Sequence, residues 1–251
     1  MTSMRNGQAR NGQAPWVTQT TEFWQEIESV EAWQGRLAPP WRYGVPVELS
    51  GGGVLELPIR PLPATPDRAV ASLIANQASL SVVKRLGEDM TVLAARFKPD
   101  LVVGLPTLGF VFAPLIAAGL GHQRWVPLGY SRKFWYRDEL STLVRSITSP
   151  DGGKRLYVDP NMVPALTGKT VLLVDDAVSS GRTMAPVWDL LTAMGVRVTG
   201  AVVAMRQGAG GQSLLGTERC DRIAAVFDSP LLTLGEEGWW PEPQIVSQYK
   251  K

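Results

Sequence analysis

The stretch VLLVDDAVSSGRT, Val171 to Thr183, sets four apolar residues ahead of the adjacent Asp175 and Asp176 and follows them with small and hydroxylated residues. Neighbouring carboxylates accept hydrogen bonds from vicinal hydroxyls. Ser179, Ser180 and Thr183, by contrast, offer hydroxyls and N–H groups just ahead of a helix, which is the chemistry of an anion site. Carboxylates alone would repel a phosphate, so the two halves must hold different parts of one ligand. A ribose carrying a 5'-phosphate satisfies both. Successive side chains of a strand point to opposite faces, so both aspartates reach one ligand only if the backbone leaves β geometry near Asp176. A glycosidase pair is excluded by geometry, because its carboxyls must flank a bond from opposite sides.

The elements that must position this segment alternate along the second half of the chain. DLVVGL reads as a buried strand, GFVFAPLIAAGLG as a helix ended by Gly, and RWVPLG as another strand. KTVLLVDD is a strand, Thr183 to Met194 a helix with Met184, Val187, Leu191 and Met194 on one face, and VTGAVVAM and DRIAAVF two more strands. Five apolar strands with helical connections predict an α/β fold: a mostly parallel five-stranded sheet with helices on both faces and ligands beyond the carboxyl ends of the strands. The polar stretch 130–160 lacks a clear period, and its length suits a functional lid.

The preceding third reads as a lead-in. A tandem RNGQA in residues 5–14 is too short and polar for a stacking repeat, so residues 1–20 are expected to form a flexible tail. Phe23, Ile27 and Val30 recur at helical spacing between Thr21 and Trp33, with Trp24 and Trp33 flanking them. VPVELSGGGVLELPIRPL has the pattern of a hairpin, and Ala69 to Phe97 suggests one long packed helix. The expected division is therefore tail 1–20, lead-in and hood 21–98, core 99–230 and C-terminal extension 231–251.

The segment Val171 to Thr183 resembles, without a gap, the phosphoribosyl pyrophosphate (PRPP) signature of the type I phosphoribosyltransferases: an apolar strand, two acidic residues and a hydroxyl-rich loop. The resemblance implies that fold, with its lid loop and hood, and extends over roughly Pro99 to Pro230. It also implies that Asp175 and Asp176 hold the ribose hydroxyls, while Ala177, Val178, Ser179, Ser180, Gly181, Arg182 and Thr183 cradle the 5'-phosphate. In GLPTLGF it assigns Thr107, Leu108 and Gly109 to pyrophosphate. The lid, VPLGYSRKFWYRDELSTLVRSITSPDGGKRLYVDP, has the place and pattern of the flexible loop in adenine and xanthine enzymes, a late hairpin arm included. Arg132 and Lys133 are its candidates for neutralising pyrophosphate, because charge-assisted bonds to phosphate oxygens are strong. Mg²⁺ is expected as the cofactor, held mainly by PRPP with Asp175 and Asp176 nearby.

Two departures bear on the substrate. Leu108 stands where adenine enzymes usually carry Arg and hypoxanthine enzymes Lys, and the lid lacks the Glu-Glu-Tyr run of adenine enzymes. A purine or purine-like base remains the expected acceptor. Its candidate contacts are Phe227 and Asp228 at the end of the last core strand, Trp239 in the C-terminal extension and Asn76 in the hood. For each of these a packing, turn or surface role competes. The rival reading is a PRPP-binding regulator without transferase activity.

Composition narrows the classes further. With 45% hydrophobic and 19% charged residues, the chain is patterned to fold. A net charge of only +2 without a basic run gives no support to nucleic-acid binding. Cys220 is the sole cysteine, which rules out an internal disulfide and fits a reducing cytoplasm. No apolar run has the length of a membrane span, so a cytoplasmic homodimer without membrane partners is expected.

Overall fold

The computed structural model describes residues 16–146, 149–208 and 211–242. The tandem RNGQA lies outside the described residues. The chain builds a hood sheet from strands β1 (Gly44–Glu48), β2 (Val54–Leu62) and β3 (Thr65–Ala71), followed by helix α1 (Leu80–Ala95). The core then runs β4 (Leu101–Gly104), α2 (Gly109–Gly119) and β5 (Val126–Pro127). Next come the lid hairpin β6 (Ser141–Ser146) and β7 (Ser149–Tyr157), then α3 (Val163–Leu166), β8 (Thr170–Val178) and α4 (Met184–Ala193). Strand β9 (Arg197–Gln207), α5 (Gln212–Cys220) and β10 (Ile223–Ser229) complete the core, and β11 (Leu231–Leu234) and β12 (Trp239–Pro241) return to the hood.

The expected five-stranded parallel sheet is present, in the order β10-β9-β8-β4-β5. Its strands are apolar on both faces because both are covered. Val102, Leu172, Val174, Val202 and Ala204 pack with α1, α2 and the hood, whereas Leu101, Val103, Val171, Leu173 and Val203 pack with α4. That period of two is what a doubly covered strand requires.

The hood is a second five-stranded sheet, ordered β1-β2-β3-β11-β12, and its two halves come from opposite ends of the sequence. A bridge between Trp41 and Trp239 joins the chain entering β1 to β12. Two expectations fail in this region. No α-helix forms over 21–33: a single 3-10 turn, Glu31–Trp33, is present, and Glu28 bridges to Val54. The adjacent Phe23 and Trp24 are both buried, which a one-faced helix cannot arrange, and Trp24 Nε1 donates to the Ser72 carbonyl at 3.0 Å. The long helix expected from Ala69 is a strand, a turn and then α1, capped by Ser79 Oγ accepting from the Val82 N–H at 3.2 Å. Ala69, Ala71 and Leu73 are buried on alternate positions while β3 pairs with β2 and β11, so tertiary pairing overrides the run of helix formers.

Candidate active site

The sheet opens a crevice between β4 and β8. From β4 the chain passes through α2 to β5 on one side, and from β8 through α4 to β9 on the other, so connections leave these neighbours in opposite directions. Strand β4 stops at Gly104 opposite Val174, whereas β8 continues to Val178 against β9 alone. The side of β8 abandoned by β4 is where a ligand can approach.

Asp175 and Asp176 occupy that stretch and line a cavity of about 310 Å³. The expected departure from β geometry does not occur. Register with β9 holds from Leu172 to Val178, because β9 extends to Gln207 and supplies ladder partners beyond the aspartates. Both residues nonetheless line the one cavity, and Asp175 Oδ1 accepts the backbone N–H of Asp176 at 2.9 Å. Burial first, then the Asp176 charge, push the Asp175 carboxyl well above the usual carboxylate range. Burial likewise pushes Asp176 up to about 6, against hydrogen bonds that favour its ionised form. The pair thus holds protons more tightly than exposed carboxyls would, and a cation or hydroxyl donors delivered by a ligand would relieve it.

The hydroxyl-rich turn forms the adjoining wall. Ser179, Ser180, Gly181, Arg182 and Thr183 all line the cavity, and α4 begins at Met184. Gly181 adopts φ +76°, a conformation that side chains other than glycine resist, and a Cβ there would sit 3.1 Å from Leu215 and 3.2 Å from the Gly211 carbonyl. Outside the sheet ladder, no backbone hydrogen bond among the described residues uses the N–H groups of Ser180, Gly181 or Arg182. Unused donors just ahead of a helix are the chemistry an anion site requires.

Opposite this turn, Pro106, Thr107 and Leu108 reach the cavity, and the Pro106–Thr107 peptide is cis. Gly109 is set back against Asp175, and its backbone dipole favours the ionised carboxylate there. A Cβ on Gly109 would lie 2.6 Å from the Val174 carbonyl oxygen, so glycine is what lets α2 start against β8.

Several sequence candidates stand elsewhere. Arg132 pairs with Asp138 at 3.3 Å on the surface, and neither it nor Lys133 lines the cavity. The lid instead contributes Tyr130, Val144 and Lys154, with Lys154 Nζ 5.5 Å from the Tyr130 ring centroid. Burial first, then the charges of Asp175 and Asp176, raise the Tyr130 hydroxyl, which stays protonated as a donor. None of the four base candidates lines the cavity. Phe227 and Trp239 fill the core between sheet and hood, Asp228 accepts from Arg206 Nε at 2.6 Å, and Asn76 is exposed in a 3-10 turn. The wall that faces the ribose side is built from Val70 to Ile74, Met205 and Gln207, which the sequence did not single out. Alternation of small and branched residues in RAVASLI was the one available signal.

The family described as Phosphoribosyl transferase domain matches residues 69–221. The chain belongs to that family. Its similarity is to adenine phosphoribosyltransferases, members of the pentosyl-transferring class of enzymes. That of Thermobifida fusca is 30% identical over 156 residues, covering 62% of this chain and 82% of the relative. That of Bifidobacterium longum is 28% identical over 182 residues, covering 70% and 86%. Among solved structures, the APRTase from Giardia lamblia complexed with 9-deazaadenine superposes with a TM-score of 0.53 at 20% identity, covering 68% of this chain and 93% of that one. At that identity the likeness shows the fold, the type I phosphoribosyltransferase fold. Among the described residues no helix is long and apolar enough to cross a membrane.

Proposed function

We propose that the protein transfers the 5-phosphoribosyl group from PRPP to a nitrogen of a purine or purine-like base and releases pyrophosphate. The observation that carries this reading is the pairing, in one cavity, of the buried Asp175 and half-buried Asp176 carboxylates with a hydroxyl-rich turn at the start of α4. In the reaction the anomeric C–O bond to pyrophosphate breaks, a C–N bond forms, and the base loses its N–H proton. Positive charge gathers on the ribose ring, so no covalent nucleophile is needed.

The roles follow from position. Asp175 and Asp176 accept hydrogen bonds from the ribose 2'- and 3'-hydroxyls and face the developing cationic ring. The turn from Ala177 to Thr183 binds the 5'-phosphate. Thr107, Leu108 and Gly109 offer backbone donors to pyrophosphate, and Gly109 also packs against Asp175. Lys154 is the lid cation that already faces the cavity, while Arg132 and Lys133 would reach it only on lid closure, which also excludes water.

Among the described residues no cluster of three or more His, Cys, Asp or Glu could cage a metal. The coupled carboxyls fit an ion that arrives with its ligand, so Mg²⁺ would be held mainly by PRPP beside Asp175 and Asp176. Bound there, it would neutralise charge on the departing pyrophosphate. The reading also takes the protein to be a cytoplasmic homodimer, which sedimentation of the purified chain tests.

The deciding experiment follows pyrophosphate release from PRPP and Mg²⁺ over a panel of purines, deazapurines, pyrimidines and pyridine carboxylates. Base-dependent release is the expected result. PRPP binding without release for any base would favour the regulator instead.

A further inference from the structure

The cavity has a half that the ribose and phosphate do not use. Its hood side is formed by Val70, Ser72 and Ile74, whose alternate neighbours Ala69, Ala71 and Leu73 are buried in the core. Strand β3 ends at Ala71, and the segment that follows it lines the cavity as far as Ile74. Leu108 and Met205 extend the apolar surface, making a slot suited to a flat ring. Only two side chains of this half carry polar atoms, Ser72 and Gln207.

Both are held in place. Gln207, at the end of β9 and 7% exposed, donates from Nε2 to the Ala71 carbonyl at 2.7 Å, tying the parallel sheet to the hood. One of the two Nε2 hydrogens is committed to that carbonyl, which fixes the amide plane and leaves Oε1 as an acceptor for the cavity. Ser72 is pinned through its backbone: its N–H donates to the Pro58 carbonyl at 3.1 Å, and its carbonyl accepts from Trp24 Nε1 at 3.0 Å. The Ser72 hydroxyl is nonetheless buried without a partner. A buried polar group in that state marks a place where a ligand completes the bonding.

We propose that Gln207 and Ser72 select the acceptor base, and the inference rests on the transferase reading above. Gln207 Oε1 accepts from an amino group on the ring edge, and the Ser72 hydroxyl donates to a neighbouring ring nitrogen. An oxo-substituted edge sets its carbonyl against Oε1, acceptor facing acceptor, whereas an amino-substituted edge satisfies both residues. Sites built to hydrogen-bond a substrate group discriminate strongly against analogues lacking it, because the protein's own groups are then left unpaired.

The test measures kcat/KM for adenine, hypoxanthine and unsubstituted purine at saturating PRPP and Mg²⁺. It compares the wild-type chain with Ser72→Ala and Gln207→Met, with melting temperature and PRPP affinity as controls. Ser72→Ala removes a hydroxyl that has no partner to lose, so its melting temperature should hold while adenine kcat/KM falls about tenfold. Gln207→Met should bring the adenine-to-hypoxanthine ratio to within about threefold of unity, chiefly through KM, with PRPP affinity retained. An unchanged ratio in both folded variants overturns the assignment. A wild-type chain that binds PRPP but releases pyrophosphate with no base overturns the transferase reading and takes this inference with it.

Discussion

Gly109, in the first turn of α2, packs so closely against Asp175 of β8 that a Cβ on the glycine would lie 3.0 Å from the Asp175 Cα and 3.2 Å from its Oδ1. The segment expected to meet pyrophosphate is thereby packed directly against the residue expected to meet ribose. Any shift of one is felt by the other.

Gly109→Ala should therefore behave as an active-site variant. A Cβ at 2.6 Å from the Val174 carbonyl forces α2 away from β8, at a cost of about 1–3 kcal/mol. PRPP affinity should drop even in the fraction that folds. Calorimetry alongside denaturant melts checks this, and wild-type affinity in a destabilised protein would contradict the coupling.

Asp175→Asn and Asp176→Asn should each weaken PRPP binding tenfold or more, about 1.4 kcal/mol. Ligand-free stability should move the other way. Both carboxyls are raised in the folded chain, Asp176 to about 6, so the native state binds more protons than the unfolded one between the ordinary carboxylate range and those values. The Asp176 contribution to stability then falls as pH rises from about 4 through 6, and that of Asp175 falls with rising pH in the same sense. Thermal melts at pH 5 and pH 8 should show both variants gaining on the wild type at the higher pH, Asp176→Asn by about 1–2 kcal/mol. Parallel pH profiles would refute this.

PRPP binding itself should tighten as pH rises through about 6, where Asp176 ionises to accept ribose hydroxyls. Titration calorimetry in buffers of different ionisation enthalpy reads the protons released. Asp176→Asn should flatten the profile.

The lid separates two expectations. Lys154→Met should raise the PRPP dissociation constant, because that cation faces the ligand-free cavity. Arg132→Ala should mainly slow turnover, because Arg132 stands paired with Asp138 until the lid moves. Single-turnover and binding measurements on both variants distinguish them. A binding defect in Arg132→Ala without a kinetic one would place the lid otherwise.

Gly181→Ala adds a side chain at φ +76° against Leu215 and the Gly211 carbonyl. A cost of about 1–2 kcal/mol from the left-handed conformation is expected, with a larger loss in affinity for inorganic phosphate. Retained phosphate affinity would exclude this turn as the anion site.

What the sequence made legible was contiguous. Strand, carboxylates and hydroxyl-rich turn follow one another from Val171 to Thr183, so local order and spatial order coincide. The five core strands were legible for a related reason, each being a continuous apolar run. The second wall was hidden because it joins Val70–Ile74 to Met205 and Gln207, over 130 positions away, through β3–β11 pairing and the Gln207–Ala71 bond. Alanines in ANQASL and the strong periodicity of α1 drew β3 into an apparent helix. Phe227 and Trp239 stand near the strand ends in sequence, but in space they fill the core between the two sheets.

The hood's composition from both ends of the chain also sets an order of assembly. Until residues 231–241 have been synthesised, β3 has no neighbour on its β11 side, and Trp41 has no β12 to meet. On the ribosome, a nascent chain would therefore present the cavity's second wall as an open sheet edge, available to other chains. Protection of that edge waits until residues 231–241 have emerged, and chaperone dependence should be concentrated in that interval.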